Sequence, residues 1–478
     1  MTEHVGTKPT DIRLRGAELY FLPVQTRVPL KFGTETLTSV TCARVRVVVE
    51  DRHGRLASGW GETPLSVQWV WPSDIGYSYR HNALKKFCKQ LTTAWASFQV
   101  SGHPMEIGYE FQQRDLPTLL EGFNRNCQPR ERMPNLAALV CCSPFDLALH
   151  DAYGNLHGIP VYDSYTKEYM NRDLGHYLVS AEDVGIGFKD KYPSDFLSTT
   201  RIEKMTVWHL VGGLDSLDDS QGNAPQVDDG EPVLLGDWME RDGVNCLKVK
   251  LRGNDAEWDY RRILQVSEIA KSKGAFTLTV DFNCTVTEPD YVNTILDRLR
   301  DKEPSVFDSI LYVEQPFPYD LEAHKIDVHS VAGRKPLLMD ESAHNWELVR
   351  LGRSLGWNGV ALKTCKTQTG ALLMLCWAKA HGMHLMVQDL TNPMLAQIPH
   401  LLLASYAGTM KGVESNAMQF YPFASAPEAK VHPGLYQRRN GQPDLSSIRG
   451  PGFGYRIDEI DRTLDEPVVR CGIVTSSD

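Results

Sequence analysis

Residues 244–251 read Val-Asn-Cys-Leu-Lys-Val-Lys-Leu, a short aliphatic and β-branched run that closes on two lysines two positions apart. Alternate residues of a strand share a face, so Lys248 and Lys250 point the same way. A strand buried in a parallel sheet tolerates charge badly, so ammonium groups at its carboxyl end mark a strand opening into a polar cleft. The same ending recurs down the chain. Phe276–Phe282 ends in Asp281-Phe282-Asn283, Ile310–Pro316 in Glu314-Gln315-Pro316 and Pro336–Glu341 in Asp340-Glu341-Ser342. Gly359–Lys363 ends on Lys363, His384–Leu390 on Asp389-Leu390, and Val413–Phe420 carries Glu414 and Asn416. With Lys204–Val211 these make eight runs, their starts 23–40 residues apart.

Helix-like segments such as Ala256–Lys273, Tyr291–Lys302 and Gly370–His381 separate them. Strands and helices alternating at this spacing predict βαβ units and a parallel sheet, and eight units suggest a closed (β/α)8 TIM-type barrel. A doubly wound open sheet is the alternative. No Gly-x-Gly-x-x-Gly or Gly-x-x-x-x-Gly-Lys-Ser/Thr opens any of the helices, so nucleotide binding lacks its fingerprint. In a barrel the carboxyl ends of all strands converge on one face, where active sites lie.

Upstream, the chain reads as a smaller α+β region. Ala43–Glu50 alternates, Asp51-Arg52-His53-Gly54 supplies turn chemistry, and Arg55–Trp60 returns, which predicts a hairpin. Helical periodicity follows at about 79–99, 104–123 and 135–154. Residues 163–203 show no clear period and read as an inserted or connecting segment. Gly212–Glu231, rich in Asp, Gly and Gln, reads as an exposed loop. The tryptophans Trp69 and Trp71 read as core residues ahead of pocket residues, and His381 and His384 as structural rather than metal ligands.

The 478 residues carry Lys+Arg 50 against Asp+Glu 60, a net charge of −10, which argues against a general affinity for nucleic acid or anionic lipid. No apolar run approaches the ~20 residues of a membrane span, and the polar Met1–Arg15 lacks a secretory h-region. The 10 cysteines include no Cys-x-x-Cys pair, so reduced thiols and a cytoplasmic location are expected.

Three carboxylates, Asp281, Glu314 and Asp340, end adjacent strands and would repel one another unless a hard cation sits among them. All-oxygen ligands favour magnesium over zinc. Lys363 should reach the mouth from the side opposite Lys248 and Lys250. Lysines near a divalent ion and each other are expected to have lowered pKa values and to serve as bases. The competing reading is that these acids and lysines form structural ion pairs. A sixth-strand lysine would also suit a Schiff-base aldolase, and a barrel retaining these residues without catalysis stays open.

The ordered set Lys248-Val249-Lys250, Asp281-x-Asn283, Glu314-Gln315-Pro316, Asp340-Glu341-Ser342 and Leu362-Lys363 ahead of Lys366 resembles the enolase superfamily, specifically its mandelate racemase/muconate lactonising enzyme group. Trp60-Gly61-Glu62-Thr63-Pro64 is similar to that group's Gly-Glu loop, Thr26–Thr34 to the neighbouring flexible loop, and Ser143–Tyr162 to the helix leading into the barrel. Gly450-Pro451-Gly452-Phe453-Gly454 is similar to the C-terminal return. The resemblance implies an N-terminal α+β capping domain (1–162), the segment 163–203, a modified barrel (204–425) and a C-terminal return onto the cap (426–478). It implies one Mg2+ per subunit on Asp281, Glu314 and Asp340, and abstraction of the proton α to a carboxylate to give a metal-stabilised enediolate. Lys250 and Lys363 would be the acid/base pair, Lys248 would lie against the substrate carboxylate, and Glu414 could hydrogen-bond it. Asn283 and Asp389 would complete the substrate site. Gln388-Asp389, with no histidine at the seventh strand end, is similar to the lactonising/epimerase/synthase branch, which implies racemisation/epimerisation, cycloisomerisation or β-elimination, with an acid-sugar dehydratase of the same superfamily as the alternative. A homo-oligomer acting on a small-molecule carboxylate is expected.

Overall fold

Alternation in the first 64 residues builds the expected hairpin and one strand more. In the computed structural model, which describes residues 8–218 and 227–472, the strands are β1 (Ile12–Phe32), β2 (Glu35–Asp51) and β3 (Leu56–Pro64). They pair antiparallel in the order β12-β1-β2-β3, where β12 (Val469–Gly472) returns from the far end of the chain. Thr26–Phe32, expected as a loop, is the end of β1, and its ladder with β2 shifts register between Gln25 and Leu30. The prolines Pro23 and Pro29 are accommodated there because β12 covers only Gly16–Leu19 of the outer edge. Trp60–Pro64, expected as a loop, is likewise strand.

Helices α1 (Val67–Val70), α2 (Tyr77–Ala96), α3 (Pro104–Glu110), α4 (Leu116–Asn124) and α5 (Asn135–His157) complete the cap. Between α3 and α4 lies one turn of π-helix, Phe111–Asp115. The apolar α5, buried from Leu136 to Gly154, lies directly on β3. That contact requires glycine. A Cβ on Gly59 would sit 2.1 Å from the Ala152 nitrogen, and one on Gly61 2.1 Å from the Pro144 oxygen.

The barrel strands are β4 (Val207–Val211), β5 (Cys246–Lys250), β6 (Thr277–Asp281), β7 (Ile310–Glu314), β8 (Leu337–Met339), β9 (Gly359–Leu362), β10 (His384–Val387) and β11 (Val413–Glu414). All neighbouring pairs are parallel, in the order β10-β9-β8-β7-β6-β5-β4-β11. Every one falls within a run read from the sequence. Ala256–Lys273 illustrates the intervening helices: the Asp255 side chain accepts from the Trp258 N–H at 3.0 Å, and Lys271 and Lys273 occupy the last turn, opposite the acids of the first. Inside the barrel, Trp208, Cys246, Tyr312, Leu338 and Met386 form a separate buried cluster that closes the lumen below the mouth.

The segment 163–203 runs outside the barrel against two of its helices, Gln368–Ala380 and Gln397–Ala407. Trp377 donates to the Val179 carbonyl at 3.0 Å, Lys379 to that of Phe196 at 2.7 Å, and the Ser198 N–H to that of Tyr406 at 2.8 Å. The loop after β4, expected as exposed, is partly pinned to the cap. Asp229 pairs with Arg27, and the Gly213 N–H donates to the Lys31 carbonyl at 2.9 Å. Residues 219–226 of that loop lie outside the described residues. Among the described residues, no helix is long and apolar enough to cross a membrane.

Candidate active site

Two residues beyond the apolar plug, the inward-facing positions turn charged or polar: Cys246 gives way to Lys248, Tyr312 to Glu314, Leu338 to Asp340 and Met386 to Gln388. Lys248 is the centre. Its Nζ donates to Glu314 Oε1 at 2.6 Å and Glu414 Oε2 at 2.9 Å, and lies 3.1 Å from Asp281 Oδ2. Lys250 pairs with the same Asp281 oxygen at 2.5 Å. Across the mouth, Lys363 Nζ lies 3.0 Å from Asp340 Oδ2 and donates to the Asp389 carbonyl at 3.1 Å. The ion pairs considered as the competing reading of the sequence are therefore formed.

The acids are held from behind. Gln388 donates to Glu314 Oε2 at 2.6 Å, and the Asn416 N–H donates to Asp389 Oδ2 at 2.7 Å. Gln315 accepts from the Asp340 N–H at 2.7 Å and from the Ser342 hydroxyl at 2.8 Å, fixing the turn after β8. Asn283 turns to Glu341 Oε1, 3.1 Å away.

Electrostatics follow from this crowding. Burial alone would lower Lys248, yet Glu314, Glu414 and Asp281 around it hold it well above the ordinary lysine range. Burial likewise opposes Lys363, but Asp340 raises it. For Lys248 and Lys363 the facing carboxylates thus outweigh burial and the neighbouring ammonium. Burial and Asp281 together push Glu314 well up, whereas Lys250 and Lys248 outweigh burial and hold Asp281 down. Burial, helped by Asp340 and Asp281, raises Glu341 to about 7.

Among the described residues, no three His, Cys, Asp or Glu side chains converge as a ready metal-ligand set. The donors nevertheless suit a hard divalent cation. Asp281, Glu314 and Asp340 are buried carboxylates at the ends of three consecutive strands, and Asp281 Oδ2 and Glu314 Oε1 already share one cation, the Lys248 ammonium.

A cavity of about 40 Å³ lies over these groups, lined by Lys248, Lys250, Asp340, Lys363, Asp389 and Glu414 below. Above it the cap contributes Leu30, Phe32, Leu37 and Trp69. Sequence reasoning placed the barrel residues in one mouth, as found, and the geometry gives contacts there to four others that it assigned no role. Lys366 donates to the Asp340 carbonyl at 2.5 Å, Gln388 holds Glu314, and Glu341 accepts at 3.0 Å from the indole N–H of Trp69. The Lys-x-x-Lys spacing of 363–366 was the available signal for Lys366. Nothing in the local sequence marks Trp69, whose partners are almost 300 residues away. His381 accepts from the Ala181 N–H at 3.0 Å and is structural.

Residues 234–461 match the family model described as enolase C-terminal domain-like. No curated protein sequence matches the chain. Solved structures resemble it over nearly its whole length. The dipeptide epimerase of Enterococcus faecalis V583, solved with Mg and the dipeptide L-Leu-L-Tyr, is 14% identical with a TM-score of 0.58, over 92% of this chain and 99% of that one. The N-succinyl Arg/Lys racemase of Bacillus cereus ATCC 14579 is 16% identical with a TM-score of 0.60, over 97% and 100%. The muconate lactonizing enzyme of Pseudomonas fluorescens, solved with muconolactone, is 13% identical with a TM-score of 0.56, over 92% and 96%. Residues 234–461 thus match the enolase C-terminal domain-like model, and the chain as a whole shares the fold of these epimerase, racemase and muconate-lactonizing structures.

Proposed function

We propose that this protein is a Mg2+-dependent isomerase or lyase that removes the proton α to a small-molecule carboxylate, and that racemisation or epimerisation is the outcome. The observation that carries this reading is the placement of Lys250 and Lys363 on β5 and at the end of β9, four strands apart in an eight-stranded sheet, lining one cavity. Bases on opposite walls suit removal of a proton from one face of a carbon and its return to the other. Cycloisomerisation and β-elimination share the proton-removal step and differ in the fate of the resulting carbanion.

Asp281, Glu314 and Asp340 would hold the Mg2+, which when bound would supply Lewis-acid stabilisation of charge on the substrate carboxylate. Lys248, fixed among acids, holds the carboxylate end. Lys250 and Lys363 take and return the α-proton, and Glu414, tied to Asn416 at 2.9 Å, lies beside the same end. The capping hairpin excludes water, and its Leu30, Phe32 and Leu37, with Leu210 and Leu390 of the barrel, offer an apolar surface to the substituent. Support also comes from the neighbours in fold, which include an epimerase, a racemase and a lactonising enzyme, one of them solved with Mg. The expected homo-oligomer is checked by light scattering.

The test is a screen of carboxylates, N-acylated amino acids and dipeptides among them, in D2O with Mg2+, watching for deuterium at the α-carbon. Exchange should require the metal and stop with EDTA. Exchange surviving the combined Lys250→Ala and Lys363→Ala change would sink the two-lysine reading, and a borohydride-trapped adduct on Lys363 would favour Schiff-base chemistry instead.

A further inference from the structure

The two lysine walls are not equivalent, and the difference comes from the other domain. Trp69 sits on α1 of the cap, buried, with its ring centroid 4.8 Å from Lys363 Nζ and 5.5 Å from Lys366 Nζ. Its indole N–H donates to Glu341 Oε1 at 3.0 Å, which fixes the ring plane. Glu341 is steadied in turn by the Asn283 amide. No aromatic ring is placed over Lys248 or Lys250 among the described residues; both are held by barrel carboxylates alone.

We propose that Trp69 is a positioning residue of the capping domain that fixes and shields Lys363 and Lys366, and not Lys250, when the cap is closed over the mouth. The physical basis is the attraction of an ammonium to an aromatic face, strengthened where water is excluded, together with a donor bond that prevents the indole from rotating away. The ring also forms a wall of the cavity beside Lys363, so the cap shapes one face of the bound carbon more than the other. The assignment of Lys363 as an acid/base rests on the proposed function; the asymmetry of contact does not.

The test compares full-length wild type, Trp69→Phe and Trp69→Leu by brief amine acetylation in Mg2+ buffer, with lysine-by-lysine mass spectrometry. Expected are acetylation of Lys363 and Lys366 roughly ten-fold faster in Trp69→Leu, an unchanged rate at Lys250, and substantial return toward wild type in Trp69→Phe, which keeps the ring face. A uniform rise at all three lysines, or no rise at any, would overturn the proposal. So would Trp69→Phe behaving like Trp69→Leu. This readout needs no substrate. For any carboxylate that exchanges in D2O, Trp69→Leu should slow deuteration of one enantiomer far more than of the other. Equal slowing would contradict the facial asymmetry, whereas a wild type that exchanges nothing would count against the proposed function alone.

Discussion

Two layers of the same barrel, one residue pair apart along each strand, have opposite chemistry. The lower one, Trp208, Cys246, Tyr312, Leu338 and Met386, is a packed plug. The upper one, Lys248, Glu314, Asp340 and Gln388, is a lattice of buried charge and amide. Strand pairing supports both equally, so backbone cannot account for the difference; the lower layer fills the barrel interior and the upper one buries charge. Buried ions are tolerated only with partners, and every lysine of the mouth has a carboxylate within 3.3 Å.

The separation can be broken from either side. In the upper layer, Lys363→Ala or Lys250→Ala should lower exchange activity by roughly 10²–10⁴-fold, with little change in far-UV circular dichroism. In the lower layer, Trp208→Ala should cost about 3–5 kcal/mol of stability in chemical denaturation, with exchange per folded molecule retained. Loss of activity at that site without loss of stability would erase the distinction. Gln388 joins the layers, since it also donates to the Tyr312 hydroxyl at 3.1 Å. Gln388→Leu should cost about 1–3 kcal/mol and weaken Mg2+ binding in calorimetry, because Glu314 loses its support.

The smallest effect lies outside both layers and sharpens the contrast by pH. Burial holds His150 of α5 at about 3, so it is neutral in the folded protein, bonded to Tyr165 and Thr369. The folded pKa lies below the unfolded value near 6.5, so its contribution is present above that value and is lost as pH falls toward 3. The wild type should lose about 1.4 kcal/mol per pH unit through this group, and His150→Gln should abolish that part. Taking the difference between the two cancels Asp151, whose burial raises it to about 7 and whose effect has the opposite sign.

The barrel was legible because its strands announce their own ends. Asp281, Glu314, Asp340 and Lys363 interrupt apolar runs where only an open mouth makes charge tolerable, and each run proved to hold a strand. The cap was less legible. β1 contains Pro23 and Pro29 and no sustained alternation beyond Val24, so it resembles a loop until its partner β2 is in place. The lid stood only as the lesser reading of Trp69, for a different reason. Trp69 meets Lys363 only through tertiary packing, and a tryptophan in an apolar stretch reads as core. The ion pairs of Lys248 and Lys363 were harder to read, because a sequence shows which charges share the mouth but not how close each carboxylate sits.

One buried ion cluster limits how the molecule can breathe. Arg44 of β2 bonds Glu62 of β3 and reaches Glu428 at 3.1 Å, in the helix Ala426–Val431 that follows the barrel, while Arg462 closes on Glu428 at 2.6 Å. Arg44, Glu62 and Glu428 are buried. Swinging the whole cap away would break the buried Arg44–Glu428 pair, the contact of this cluster that joins the cap to the chain leaving the barrel. Bending only the tip of the β1–β2 hairpin, around Gly33, leaves the cluster untouched. Any opening that spares this cluster is therefore confined to the hairpin, with the cap otherwise tied to the chain that leaves the barrel.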